Sequence, residues 1–242
     1  MRRRADLVLV ERGVVETRAK AQEAIAAGGV TADGVKVTRA SDLIDEKAVL
    51  ELVRPHPWAS RGGLKLAHAL DVFGVDPTNL VALDVGASTG GFSDVLLARG
   101  ARKVYAVDVG RGQLHPKFRD EPRIVSLEGV DARALTRHEI GDPPDLVVCD
   151  ASFIGLLKVL PVPLALAAPQ ASLVALVKPQ FEAGPGRKGK DGVLDETLAR
   201  RIAEGTAEAL DGLAGFRVAE MVTSPVKGGD GNREFLLLAR RT

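Results

Sequence analysis

The chain reads as two α/β units in series, a small one followed by a larger, doubly wound one whose mostly parallel sheet ends in an antiparallel last strand. Three observations predict this. From Leu80 onward, short apolar runs alternate with helical segments, the pattern of strands buried on both faces by crossover helices. Pro55-His56-Pro57 interrupts the chain upstream of that region, and paired prolines remove donors and stiffen a linker. Further upstream, Asp33-Gly34 lies between two β-branched runs, a strong hairpin signal. The predicted division is 1–54 for the first unit, 55–60 for the linker and 61–242 for the second unit.

In the first unit, Ala5 to Arg12 is a short helix stopped by Gly13. Thr17 caps a second helix, Arg18 to Ala27, which Gly28-Gly29 ends. Short strands follow at Val30 to Thr31, Val35 to Thr38 and Ala48 to Leu52. In the second unit, Leu64 to Phe73 is a helix with Leu66, Ala69, Leu70 and Phe73 on one face. Val81 to Val85 is a buried strand, Gly91 to Arg99 a helix, and Lys103 to Asp108, Ile124 to Leu127, Leu146 to Asp150 and Ser172 to Val177 are further strands. Leu194 to Leu210 is a long amphipathic helix. Phe216 to Thr223 and Glu234 to Ala239 close the sheet, and Lys227-Gly228-Gly229-Asp230-Gly231 between them is too short for a helical crossover, so these two run antiparallel.

Composition excludes several classes. Hydrophobic residues make up 45% and charged residues 27% of the 242, ordinary globular values in a chain long enough to bury a core unaided. Cys149 is the single cysteine, so no intramolecular disulfide forms. No Cys/His cluster has zinc spacing, and no metal is expected. Met1 to Arg4 looks like a signal-peptide start, but the apolar run Leu7 to Val10 is cut off by Glu11. The longest apolar stretch, Val159 to Pro169, holds three prolines and cannot span a bilayer. A soluble, cytoplasmic protein without a membrane partner follows, with a monomer as the default.

Net charge is +1, but residues 1–40 carry eight Lys/Arg against five Asp/Glu, and charge gathered at one end steers a polyanion. Arg2, Arg3 and Arg4 form either a disordered solubilising tail or, with Arg12, Arg18 and Lys20, a set of phosphate contacts. Basic residues flanking a predicted helix start favour the second. Gly184 to Gly192, with Arg187, Lys188 and Lys190, reads equally as a solvated loop or an RNA clamp.

A glycine-rich segment, Asp84-Val85-Gly86-Ala87-Ser88-Thr89-Gly90-Gly91-Phe92, leaves the first strand of the large unit and opens a helix. Ligands bind at such strand ends. A P-loop needs lysine where Phe92 stands. A dinucleotide fingerprint needs G-x-G-x-x-G, which Ala87-Ser88 breaks. Asp-x-Gly-x-x-x-Gly-Gly remains, and it resembles the S-adenosylmethionine (SAM) loop of class I methyltransferases. On that reading Asp84 suits the ligand's ammonium group, Asp108 accepts from both ribose hydroxyls, and Asp131 binds the adenine amino group. The alternative is that Asp108 or Asp131 only caps a turn.

Four chemistry-bearing residues sit at or near strand ends: Lys65 on the helix before the first strand, Asp150, Lys178 and Glu234. They suit methyl transfer to a ribose 2′-hydroxyl. The protein must orient the oxygen in line and take its proton, which a lysine does if its pKa falls towards about 7–8. Lys178 is the candidate base, Lys65 lowers its proton affinity, and Asp150 and Glu234 hold the lysines. The bland readings are a solvated Lys178 and a Lys65 that only snorkels.

The order Lys65, Asp150, Lys178, Glu234 is similar to the tetrad of RrmJ/FtsJ-type 2′-O-methyltransferases, and the chain resembles the TlyA (haemolysin A-like) family more closely still. The carrying segments are Ser60 to Leu66, Asp84 to Phe92, Asp150 to Ile154, Val177 to Glu182 and Asn232 to Phe235. Arg4-Ala5-Asp6, Leu9 to Gly13, Thr17-Arg18, Ala21, Ile25, Gly28 and Val30 resemble an S4-like RNA-binding domain. The resemblance implies SAM as cofactor and cytidine 2′-O-methylation of ribosomal RNA in an assembled ribosomal subunit. It also implies sensitivity to ribosome-binding peptide antibiotics. The family's Arg-x-Trp-Val linker reads His56-Pro57-Trp58-Ala59 here, so only Trp58 is kept and the linker's role in RNA or SAM binding is not carried over. The short start suggests the form that methylates one subunit. Phe153 is either a base-stacking aromatic or a core residue, Trp58 pins the linker to a domain, and Cys149 is a core residue. A SAM-binding ribosome-assembly factor without catalysis is the competing reading. A membrane-active haemolysin lacks any supporting segment.

Overall fold

The computed structural model describes residues 1–15, 17–26, 28–52, 56–183 and 192–242. Ala27 at the expected end of the second helix, Pro55 of the linker, and Arg187, Lys188 and Lys190 of the basic loop lie outside the described residues. Two units form, Met1–Pro57 and Trp58–Thr242.

The first unit runs β1 (Arg2–Arg4), α1 (Ala5–Glu11), α2 (Arg18–Ala26), β2 (Val30–Ala32), β3 (Val35–Lys36), β4 (Leu43–Asp45) and β5 (Leu50–Leu52). The sequence reading misses β1 and β4. Arg2–Arg4 is not a tail, because it pairs antiparallel with β4, Arg3 opposite Ile44. Three consecutive arginines carry no apolar alternation, so period alone conceals the strand. β2 pairs with both β3 and β5, and Asp33 (φ 51°) and Gly34 (φ 75°) make the turn, as a hairpin with two positive-φ residues requires. Ala5, Val8, Leu9, Ala21, Ile25 and Val30 form its core.

Asp6 is fully buried there. Its carboxylate accepts from Arg4 Nε and Nη2 at 3.0 Å, from Arg18 Nε at 2.7 Å and from Gln22 Nε2 at 3.2 Å. The Arg4 guanidinium, then Arg18 and Gln22, hold this carboxyl well below the usual range. Arg12 donates to the carbonyl of Ala48. Arg4 and Arg18, expected at phosphates, thus have a structural partner in Asp6, since a buried carboxylate demands pairing.

The second unit runs α3 (Gly62–Phe73), β6 (Val81–Val85), α4 (Gly91–Ala98), β7 (Lys103–Asp108), β8 (Ile124–Glu128), β9 (Leu146–Cys149), α5 (Leu156–Val159), α6 (Pro161–Leu166), β10 (Ser172–Val177), α7 (Pro179–Glu182), α8 (Glu196–Leu210), β11 (Phe216–Thr223) and β12 (Phe235–Arg241). The sheet order is β11-β12-β10-β9-β6-β7-β8. β12 lies antiparallel to both neighbours, and the remaining pairs are parallel. Alternate residues feed two cores. Leu83, Val147, Ala175 and Leu237 face one side, and Ala82, Val148, Val174 and Leu236 face the other, with Leu66 and Leu70 of α3 and Leu96 of α4.

The sequence reading misses the short helices α5, α6 and α7. Pro161 and Pro179 stand at their first turns, where a missing N–H costs nothing. α8 begins at Glu196 because the Asp195 side chain caps Thr197 and Leu198. Strands β9 and β12 stop one residue short of Asp150 and Glu234, leaving both at the sheet's rim. β6 leads to β7 on one side while β9 lies on the other, which makes the strand ends here a topological switch point.

Candidate active site

After β6 the chain turns sharply. Gly86 (φ 82°) donates to the Val107 carbonyl at 2.9 Å, and a Cβ there would lie 2.9 Å from the Ala151 Cα. Only glycine lets the loop come this close to the chain leaving β9. Gly90 (φ 86°) starts α4, and a side chain there would strike the Phe118 ring. Ser88 holds φ 46° without being glycine, a strained conformation typical of ligand loops. Its N–H donates to Asp108 Oδ2 at 2.8 Å, and the Gly110 N–H donates to Asp108 Oδ1 at 2.7 Å. Two backbone donors thus orient this carboxylate, and each oxygen retains a second lone pair.

A cavity of about 860 Å³ opens at these strand ends, lined by Gly86, Ser88, Asp108, Asp131, Asp150 and Phe153 among others. Its size suits a nucleoside-bearing ligand. Asp131 lines it but also caps a 3-10 turn through the Arg133 N–H, and it accepts from the Arg133 guanidinium at 2.6–3.0 Å. Capping and cavity lining coexist at this residue.

Asp84 is fully buried and does not line the cavity. Ser93 Oγ donates to Oδ2 at 2.7 Å, while Oδ1 has no partner. Burial pushes its carboxyl up to about 7, against the Ser93 hydrogen bond. As the fourth residue of β6, its side chain turns into the sheet's face, where Ser93 of α4 meets it.

Lys65, Asp150, Lys178 and Glu234 come together as two ion pairs. Val177 of β10 stands opposite Phe235 of β12, so the next residue on one strand and the preceding one on the other, Lys178 and Glu234, share one end of the sheet. Lys65 Nζ donates to Glu234 Oε2 at 2.5 Å. Lys178 Nζ lies 2.7 Å from Asp150 Oδ1 and donates to the Asp150 carbonyl at 3.1 Å and Ser152 Oγ at 2.7 Å. Lys65 is 8% exposed, Lys178 7% and Glu234 2%, which rules out solvated or snorkelling lysines. Burial pushes the Glu234 carboxyl up, opposed by Lys65 and Lys178. Asp150 and Ser152 line the cavity, whereas Lys65, Lys178 and Glu234 do not.

Phe153 is 90% exposed with φ 66°, so it is not a core residue. Its ring centroid lies 5.1 Å from that of Phe181. Cys149 is fully buried, and burial pushes its thiol up to about 12. Trp58 packs against the α3 and α4 core. The sequence reading gave no role to Ser152 or Glu182. Glu182 accepts from the Leu156 N–H at 2.8 Å and so ties α7 to the start of α5. No spacing rule signals either contact. Among the described residues, no three His, Cys, Asp or Glu side chains gather to hold a metal, and no helix is long and apolar enough to cross a membrane.

Comparison with known proteins gives concordant matches. The FtsJ-like methyltransferase family matches residues 58–241, and the S4 domain matches residues 3–50. The 16S/23S rRNA (cytidine-2′-O)-methyltransferase TlyA of Mycobacterium tuberculosis is 43% identical over 242 residues, covering 99% of this chain and 90% of its own. The 23S rRNA (cytidine-2′-O)-methyltransferase TlyA of Campylobacter jejuni is 35% identical over 179 residues, covering 74% and 69%. A solved structure from Streptococcus thermophilus, classed with the hemolysins, is 36% identical with a TM-score of 0.79, covering 100% of this chain and 89% of its own.

Proposed function

Because the chain belongs to the TlyA family of FtsJ-like, SAM-dependent methyltransferases with an S4 domain, we propose that it methylates the 2′-hydroxyl of a cytidine in ribosomal RNA, within an assembled ribosomal subunit. The observation that carries this is the buried pairing of Lys65 with Glu234 and Lys178 with Asp150 beside the cavity. When bound, SAM supplies an activated methyl group. The loop of Gly86, Ala87, Ser88, Thr89, Gly90 and Gly91 would hold it, with Asp84 for its ammonium group, Asp108 for its ribose hydroxyls and Asp131 for its adenine. Asp150, which lines the cavity, holds Lys178, whose Nζ takes the hydroxyl proton. The Lys65–Glu234 pair lies at the same end of the sheet as Lys178.

The unit 1–54 serves RNA binding, the linker is 55–60, and catalysis lies in 61–242. Arg4, Arg12, Arg18 and Lys20 offer outward N–H groups to phosphates; the Arg4 and Arg18 side chains keep 42% and 54% exposure while paired with Asp6. Phe153 stacks on an extruded base.

The test incubates the protein and a Lys178→Ala variant with methyl-tritiated SAM and separate 30S and 50S subunits from cells lacking the gene. Label in one subunit's RNA, resistant to alkaline cleavage at one ribose and absent with the variant, is expected. Label in neither subunit despite SAM binding would favour the non-catalytic assembly factor.

A further inference from the structure

Three oxygens surround the Lys178 amine: the Asp150 carbonyl at 3.1 Å, Ser152 Oγ at 2.7 Å and Asp150 Oδ1 at 2.7 Å. The carboxylate oxygen lies outside hydrogen-bonding angles and has no hydrogen-bond partner, so it contributes charge and not direction. The directed contacts are the carbonyl and the hydroxyl. A neutral lysine amine has two N–H groups and one lone pair, and two fixed acceptors determine where the lone pair points. The carbonyl belongs to the main chain at the end of β9. The hydroxyl depends on Ser152 alone. Ser152 is exposed and lines the cavity, and a hydroxyl that accepts from lysine keeps its own proton to donate. Lys178, at 7% exposure, has little direct access to water.

We infer that Ser152 is a positioning residue for the proton transfer: it aims the Lys178 lone pair and returns the captured proton to solvent. The inference rests on the methyltransferase reading above. In the return step the N–H bond of the Lys178 ammonium breaks as an O–H bond forms at Oγ. The original Ser152 proton passes to a cavity water, leaving a neutral amine, an intact hydroxyl and a hydronium ion. Ser152 touches neither methyl donor nor acceptor in this role; it acts through Lys178.

Ser152→Ala and Ser152→Thr are compared with the wild type in single-turnover and steady-state methylation of the labelled subunit, with SAM affinity measured by calorimetry. The alanine variant is expected to lose roughly tenfold or more in kcat, with KM for the subunit and the Kd for SAM unchanged. Threonine, which keeps the hydroxyl, restores most of the rate. An alanine variant as fast as wild type overturns the proposal, as does a threonine variant as slow as alanine, or a loss that appears only in KM or Kd. A wild type that methylates neither subunit would instead sink the methyltransferase reading itself.

Discussion

Lys65 and Glu234, 169 positions apart in the chain, meet at 2.5 Å inside the second unit. Neither is solvated, so each is the other's main compensation for burial. Lys65→Met is expected to destabilise the protein by about 3–5 kcal/mol, because it leaves an uncompensated buried carboxylate. Lys65→Met combined with Glu234→Gln should cost less than the two single losses added. Urea denaturation of the three variants checks this, and strict additivity would show the pair to be uncoupled.

Asp84 predicts a pH dependence of known sign. Its carboxyl titrates near 4 when unfolded and at about 7 when folded, so the folded state binds the extra proton. Stability therefore falls as pH rises from about 4 to about 7 and is level above. Asp84→Asn removes that contribution. The variant should gain on the wild type across this window, by up to about 4 kcal/mol. Parallel curves from pH 4 to 8 would refute the assignment.

Phe153→Ala should lower methylation by roughly one to two orders of magnitude if the ring stacks on a base, since such stacking contributes about 1–3 kcal/mol. Stability should not fall, because the side chain is 90% exposed. Thermal melts beside labelling assays separate the two effects.

Asp6 makes the opposite pH prediction from Asp84. Its folded carboxyl is held low by Arg4, Arg18 and Gln22. Its stabilisation is thus complete above the unfolded value near 4 and is lost as pH falls further. Asp6→Asn should loosen the first unit at neutral pH while leaving the second unit's amide exchange unchanged. Hydrogen exchange resolved by residue reads both.

The sheet was legible because its strands are apolar runs whose ends the chain marks with Asp, Gly or Lys: Val81–Val85, Lys103–Asp108 and Ser172–Val177 fall where periodicity puts them. β1 was not, since Arg2–Arg4 pairs through its backbone and its side chains announce nothing. The four residues of the two ion pairs were legible as an ordered set of residue types. The partition was not: which lysine takes which carboxylate depends on β12 entering beside β10, and pairing across sheet neighbours leaves no local trace.

The antiparallel course of β12 has a consequence for how the molecule is made. A ribosome releases α3 early and β12 late, and β11, which emerges before β12, can join the sheet only through it. Throughout that interval the Lys65 ammonium has no Glu234 to meet. Insertion of one strand then completes the sheet, supplies the missing counter-charge and sets Glu234 beside Lys178 in a single assembly step. The buried Lys65–Glu234 pair and the outer half of the sheet are thus coupled, since both wait on the same strand.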